Sequence, residues 1–271
     1  LRLENLMRDG LDPRLPGVRI RAIEGFEEGP VLVMRIPQSW ASPHMITLSN
    51  WSRFYTRNSA GKYQMDVREI RSSFALSEAL PEQIKEFRDD RLGKLMADET
   101  PVPLRRNPKM VLHLFPLASF SREFQVDIGA VRANVTALKP LGEDGWGHRF
   151  NVDGFLTYSG RSRESDNSVR AYCQIFRSGV IESVSSDLIR PFEKGDPVPY
   201  IPSVAYEREI IQAWKDYPRA MEDLQIPAPL LVTLSLVGVR GVRMYTSPRV
   251  GRGRGAPIDR EVVVVPEVLV E

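Results

Sequence analysis

The stretch WASPHMITLSNWSRFYTRNSAGKYQMDVREIRSSF, residues 40–74, combines two short strand-like segments with a turn and the start of a helix. Residues 44–48 and 53–57 are rich in the residue types that strands prefer, and they are predicted to pair as antiparallel strands. Residues 58–61 are typical of a turn. The stretch therefore predicts a hairpin that leads into a helix.

The start of that helix is marked by its capping residues. Asp66 is a favoured N-cap, and Glu69 follows three residues later, as in a capping box. Val67, Ile70 and Phe74 then form an apolar stripe at helical spacing. A second, amphipathic helix is predicted over residues 81–96, with a proline at its first position.

Upstream of this stretch, residues 1–11 predict a helix that ends at Gly10. Residues 17–23 alternate apolar and basic side chains, and residues 31–36 are an almost continuous apolar run. Two antiparallel strands are expected, the second of them in the interior. The chain opens inside the first helix with Leu rather than Met, so we expect a fragment of a longer protein.

Downstream, residues 98–108 contain three prolines and have no periodicity, which predicts a boundary between domains 1–98 and 109–271. Beyond it, strands are predicted over residues 110–115, 147–158, 169–176 and 179–184. Ser203 is expected to begin a helix that Pro218 ends or kinks. The fold class predicted is α+β, with two mainly antiparallel sheets that each carry packed helices.

Composition limits the classes of function. The 37 Lys and Arg residues nearly balance the 35 Asp and Glu residues. Of these 37 basic residues, seven are Lys and 30 are Arg. The single cysteine, Cys173, excludes an internal disulfide and a cysteine-based zinc site, and its strand-like surroundings predict a buried thiol. Because no signal peptide and no long apolar run is present, we expect a cytoplasmic protein without a membrane partner.

The usual catalytic patterns are absent from the sequence. It contains no P-loop, and His44, His113 and His148 lack the spacing of metal ligands. His113 lies among apolar residues, which favours a structural histidine. Asp66 and Glu69 are explained by helix capping. We therefore predict no catalytic residue, no metal site and no cofactor within these residues.

A candidate binding surface lies in the opening stretch. Alternation along residues 53–57 places Arg53, Tyr55 and Arg57 on one face and directs Phe54 towards the core. Together with His44 and Lys62, these side chains supply cations, hydrogen-bond donors and a ring suited to phosphates and bases. The alternative is an ordinary exposed strand face with cross-strand pairing.

A second candidate is the glycine-arginine segment of residues 249–255. Arg252 and Arg254 would add positive charge, and the glycines between them permit close approach of a nucleic-acid backbone. The alternative is a flexible surface loop with solvated charges.

The motifs of residues 31–70 resemble, in order, those of one known family. VLVMRIPQS at 31–39, Pro43-His44, FYTRN at 54–58, and Met65 with Glu69-Ile70 are similar to the C-terminal half of the Schlafen AlbA_2 domain, also described as AlbA-like DNA-binding or divergent AAA-4. The resemblance covers roughly residues 1–74 and implies nucleic-acid binding, with His44, Tyr55 and Arg57 at the matching positions. The remainder resembles the C-terminal extension of bacterial members.

The sequence thus predicts a nucleic-acid-binding protein that contacts DNA or RNA through an Arg/Tyr-rich sheet face. The resemblance also implies an alternative function, the metal-dependent cleavage of tRNA or rRNA found in Schlafen relatives. The acidic residues for that reaction would lie upstream of residue 1. A third alternative is a non-catalytic interaction module that binds a protein partner or forms a homo-oligomer. Such a module would carry an exposed apolar patch.

Overall fold

The computed structural model describes residues 2–15, 17–26, 29–36, 39, 41–48, 51–58, 61–120, 124–160, 167–189, 199–245 and 255–270. The chain forms two compact units, Leu1–Lys85 and Glu86–Val270. This division falls upstream of the proline-rich segment 98–108 that the sequence marks as a boundary. Both units combine helices with antiparallel sheets, which confirms the predicted α+β class.

The first unit begins with a helix and contains two small sheets. Its elements are α1 (Arg2–Asp9), β1 (Leu11–Asp12), β2 (Arg19–Ile23), β3 (Val31–Arg35), β4 (Met45–Ile46), β5 (Arg53–Asn58), β6 (Gly61–Gln64) and the first part of α2 (Val67–Met96). The larger sheet has the order β1-β4-β5-β6 and is antiparallel throughout. The predicted hairpin of β4 and β5 is confirmed, and β6 extends it by one strand.

Strands β2 and β3 pair antiparallel, as predicted, but they form a separate sheet of two strands. Every residue of β3 is exposed, and the side chain of Leu32 is 57% accessible. The prediction of an interior strand was therefore wrong. An apolar run favours strand pairing, but burial also requires a covering layer, and a sheet of only two strands does not provide one.

A single helix of 30 residues, α2, replaces the two helices predicted for residues 66–96, so that prediction was wrong. Pro81 lies inside the helix instead of starting a new one. Its missing N–H removes one helical hydrogen bond. The neighbouring side chains of Leu80 and Ile84 are buried, and their burial offsets part of that cost.

The second unit is built on a large antiparallel sheet. Its strands are β7 (Lys109–Pro116), β8 (Trp146–Phe150), β9 (Gly154–Ser159), β10 (Ala171–Phe176), β11 (Ile181–Ser185), β12 (Tyr200–Pro202), β13 (Leu230–Val237), β14 (Arg243–Tyr245), β15 (Val262–Val264) and β16 (Val268–Val270), and its helices are α3 (Ile128–Val131) and α4 (Ser203–Asp223). Two 3-10 turns, Leu117–Phe120 and Arg132–Asn134, complete it. The sheet order is β15-β13-β7-β11-β10-β9-β8, with β16 also paired to β13, while β12 and β14 form a separate parallel pair.

Helices cover both faces of this sheet, as β7 illustrates. Its alternate residues Met110, Leu112 and Leu114 belong to a core that includes residues of α3 and α4. Val111, on the opposite face, belongs to a second core with Leu92 and Leu95 of α2. Because side chains alternate along a strand, β7 is buried on both faces.

The predicted strand over residues 147–158 is in fact two strands, β8 and β9, joined by a tight turn. The side-chain carbonyl of Asn151 accepts a hydrogen bond from the N–H of Gly154 at 2.8 Å. Gly154 has φ +152°, and a Cβ there would lie 2.2 Å from the carbonyl oxygen of Ile175. Only glycine fits at this point, so the turn is set by Asn151 and Gly154 together.

No helix among the described residues is long and apolar enough to cross a lipid bilayer.

Candidate nucleic-acid interface

The two faces of strand β5 have different surroundings. Phe54 makes an edge-to-face contact with Phe74 of helix α2, with their ring centroids 5.7 Å apart. Tyr63, which shares this face because it pairs with Thr56, donates a hydrogen bond to Glu69 of the same helix at 2.7 Å. The helix therefore covers this face, and the alternate residues of β5 lie on the other side of the sheet.

Three of the candidate residues, Arg53, Tyr55 and Arg57, occupy that other face, as the alternation predicted. Strand β6 adds Lys62, which lies directly opposite Arg57, and Gln64, which lies opposite Tyr55. Tyr55, Arg57 and Lys62 are exposed, and Arg53 is half-buried. Four of the five candidate residues of the opening stretch thus share one sheet face, which we call the outer face.

The two cations at the β5–β6 end of the outer face are close together, and neither has an acidic partner among the described residues. Arg57 and Lys62 are a cross-strand pair, a position at which side chains lie about 5 Å apart at Cβ. Neither forms an ion pair or a hydrogen bond with any side chain that the structure describes. Like charges placed opposite each other destabilise a sheet. An anion bound between them would relieve this repulsion.

An exposed aromatic ring lies against Arg53, just before the start of β5. The guanidinium of Arg53 lies 4.3 Å from the ring centroid of Trp51, a cation–π contact. The side chain of Trp51 is 59% exposed and that of Tyr55 is 42% exposed. Trp51 was not among the residues selected from the sequence, because it precedes β5 and the alternation of the strand does not extend to it.

His44 has a different environment from the other candidates. Its Nδ1–H donates a hydrogen bond of 2.6 Å to the carbonyl oxygen of Pro13, and its Nε2 is buried with no hydrogen-bond partner among the described residues. The ring thus ties the segment before β4 to the segment after β1. This geometry favours a bracing role for His44 over direct contact with a phosphate.

Arg252 and Arg254, the two candidates of the glycine-arginine segment, lie outside the described residues.

The two acids at the start of α2 form a complete capping box. The N–H of Glu69 donates to the carboxylate of Asp66 at 2.8 Å, and the N–H of Asp66 donates to the carboxylate of Glu69 at 2.9 Å. Both carboxylates are thus engaged by backbone donors, as predicted. Within the described ranges, no group of three or more His, Cys, Asp or Glu side chains is placed to hold a metal ion.

The second unit contains a buried polar cluster that was not predicted from the sequence. Glu182 of β11 accepts two hydrogen bonds from Arg91 of α2, at 2.8 and 2.9 Å. It also accepts a hydrogen bond from the hydroxyl of Tyr172 at 2.7 Å, and its other oxygen lies 3.0 Å from Nε2 of His113. The sequence signal was a single acid within a strand whose other residues are small or apolar.

Electrostatics hold this cluster in one charge state. Burial would raise the pKa of Glu182, but the hydrogen bonds from Arg91 and His113 outweigh burial and lower that pKa to about 2. Burial, together with the charge of Glu182, raises the pKa of Tyr172 well above its ordinary value. Glu182 is therefore ionised and Tyr172 is neutral at physiological pH, and the cluster ties α2 to the sheet.

Two further sequence predictions for this unit are confirmed. His113 is completely buried, and its ring is stacked on that of Phe115 at a centroid distance of 5.3 Å. Cys173 is a buried free thiol, and burial raises its pKa to about 12. A thiol in this state is not a nucleophile at neutral pH.

Comparison of the chain with models of known protein families, with curated proteins and with solved structures finds no match in any of the three.

Proposed function

We propose that this protein binds nucleic acid through the outer face of the four-stranded sheet in its first unit. The observation that carries the proposal is the cross-strand pair of Arg57 and Lys62, which is exposed and lacks a counter-charge among the described residues. The ordered motifs similar to the Schlafen AlbA_2 domain also support it. The cytoplasmic location expected from the sequence is part of the same proposal.

The chemistry of the outer face suits a polyanion. Arginine presents a planar fork of donors to phosphate oxygens, and lysine adds a mobile point charge. The net charge of the chain is only +2, so attraction to a polyanion depends on local clusters such as this one. A nucleic-acid backbone would supply the counter-charge that the described residues do not give this pair of cations.

The proposal is for binding and includes no chemical step. The carboxylates of Asp66 and Glu69 are engaged by the cap of α2, and Glu182 is buried and fully hydrogen-bonded. Each of these acids therefore already has a structural role.

The test compares two variants that lose the same charge. Arg57→Ala combined with Lys62→Ala removes the cations of the outer face, whereas Arg208→Ala combined with Lys215→Ala removes an exposed arginine and an exposed lysine from α4. Binding of fluorescein-labelled DNA and RNA oligonucleotides is measured by fluorescence anisotropy at low salt. We expect the first variant to lose at least about tenfold in affinity, because two charge-assisted contacts are removed.

The control variant is expected to bind like the wild type. Equal losses in both variants would show that only net charge matters, and the proposed site would then be wrong. Failure of the wild-type protein to bind any of the oligonucleotides at low salt would contradict the proposed function itself.

A second candidate function, self-assembly, is favoured by the hairpin of β2 and β3. One of its faces carries Ile20, Ala22, Leu32 and Met34, and all of these except Ile20 are exposed. An isolated two-stranded sheet is marginally stable in water. One edge of β3 has no partner strand among the described residues, and it can pair with the same strand of a second copy, which would cover this face and complete the backbone hydrogen bonds.

A further inference from the structure

We infer that the outer face recognises single-stranded nucleic acid, with Trp51 and Tyr55 as stacking platforms for unpaired bases. This inference rests on the proposed function and specifies its ligand class. It adds Trp51 to the site and assigns separate tasks to the aromatic and the cationic side chains.

The exposure of the two rings is the first observation. Trp51 is 59% exposed and Tyr55 is 42% exposed. A large aromatic ring that is exposed to water does not contribute its hydrophobic free energy to folding. That free energy becomes available for binding when a flat ligand covers the ring. A base offers such a flat surface, and stacking of this kind tolerates any base because each has a π-face.

The order of side chains along the strand is the second observation. Arg53, Tyr55 and Arg57 alternate with inward-facing residues, so neighbours on the outer face are about 6.6 Å apart. This is about twice the 3.4 Å rise per nucleotide in one strand of a duplex. A base can therefore enter between a ring and the next cation, while the adjacent phosphates reach the guanidinium groups.

The contact between Arg53 and Trp51 is the third observation. The guanidinium lies over one face of the indole, 4.3 Å from its centroid, so a base would stack on the opposite face of the ring. Arg57 and Lys62 continue the positive charge on the far side of Tyr55. Along β5 the ring of Tyr55 thus lies between two cations, and the ring of Trp51 contacts the first of them, a mixture of rings and cations like that of grooves that follow a single strand.

These features favour single strands over duplexes for a geometric reason. In a duplex the faces of the bases are covered by their stacked neighbours, and a protein reaches only base edges and the backbone. The cations of the outer face would serve either form equally well. The rings contribute binding energy only when bases are unstacked.

The experiment measures binding of a labelled dT12 strand, a U12 strand and a 12-base-pair DNA duplex by fluorescence anisotropy. Wild-type protein is compared with Trp51→Leu, which keeps an apolar side chain without a π-face, and with Trp51→Phe, which keeps a smaller ring. Circular dichroism checks that each variant is folded. Because Trp51 is exposed, little change in stability is expected.

We expect the single strands to bind more tightly than the duplex. Trp51→Leu should weaken single-strand binding by about fivefold to a hundredfold, and Trp51→Phe should retain most of it. Duplex binding should be the same in all three proteins. Equal affinity of wild type for strands and duplex, or no effect of Trp51→Leu on strands, would overturn the inference while the proposed function stands. Absence of binding to all three probes would overturn both.

Discussion

Replacement of Glu182 by Gln tests the buried cluster of the second unit most severely. The change keeps the size of the side chain but removes the charge that Arg91 and His113 face. Arg91 is itself buried, so its guanidinium would be left without a counter-ion. Loss of one partner from a buried ion pair is costly for this reason.

The expected magnitude follows from the pKa of Glu182. A fall from the ordinary value of 4.5 to about 2 corresponds to about 3 kcal/mol in favour of the ionised, folded form. Because the pKa is lowered on folding, this stabilisation is present above the unfolded pKa and is lost as the pH falls towards the folded pKa. About 2 kcal/mol of it should already be lost at pH 3.

The assay is urea denaturation followed by circular dichroism between pH 7 and pH 3. Asp90→Asn is the matched control, because Asp90 pairs with Lys94 at 2.7 Å but both side chains are largely exposed. The control should cost less than about 0.5 kcal/mol. A cost below about 1 kcal/mol for Glu182→Gln at pH 7, or a cost that does not shrink towards pH 3, would refute this account of the cluster.

The remaining predictions concern the first unit. Asp66→Ala should lower the free energy of unfolding of this unit by about 1 kcal/mol, because the substitution removes the N-cap of α2. Asp66→Asn, which keeps a capping side chain, should retain most of the stability. Chemical denaturation measures both variants, and an unchanged midpoint for Asp66→Ala would contradict the capping role. Wild-type protein should self-associate reversibly in sedimentation velocity, and Leu32→Lys with Met34→Lys should abolish this, since both side chains lie on the apolar face of the hairpin. A wild-type protein that stays monomeric at every concentration would exclude self-assembly.

Local patterns predicted the first unit well wherever neighbours in sequence decide the structure. The alternation of β5 placed Phe54 against the helix and Tyr55 on the outer face because strand geometry alone sets these directions. Asp66 and Glu69 formed the expected box because both partners lie within one helical turn.

Pro81 misled the prediction because its local cost was not weighed against burial. Pro81 lies inside α2, and α4 continues past Pro218 to Asp223. A proline removes one backbone hydrogen bond, but the buried side chains of Ile84 and Tyr217 beside these prolines favour continuation of each helix. The sequence shows the cost directly, whereas the compensation depends on tertiary packing.

The cluster around Glu182 was beyond prediction for a related reason. Its members, Arg91, His113, Tyr172 and Glu182, come from a helix and three strands, and both Arg91 and His113 are far from Glu182 in sequence. Their contacts depend on the order and register of the sheet, in which Glu182 lies opposite His113.

The most direct test of nucleic-acid binding by the outer face is the salt dependence of affinity for dT12, measured with wild-type protein and with the Arg57→Ala, Lys62→Ala double variant. Each phosphate contact to a single strand contributes about −0.7 to the slope of log K against log salt concentration. We predict a steep slope for wild type and a slope shallower by about 1.4 for the variant. Equal slopes in the two proteins, or no binding by wild type at low salt, would contradict the account.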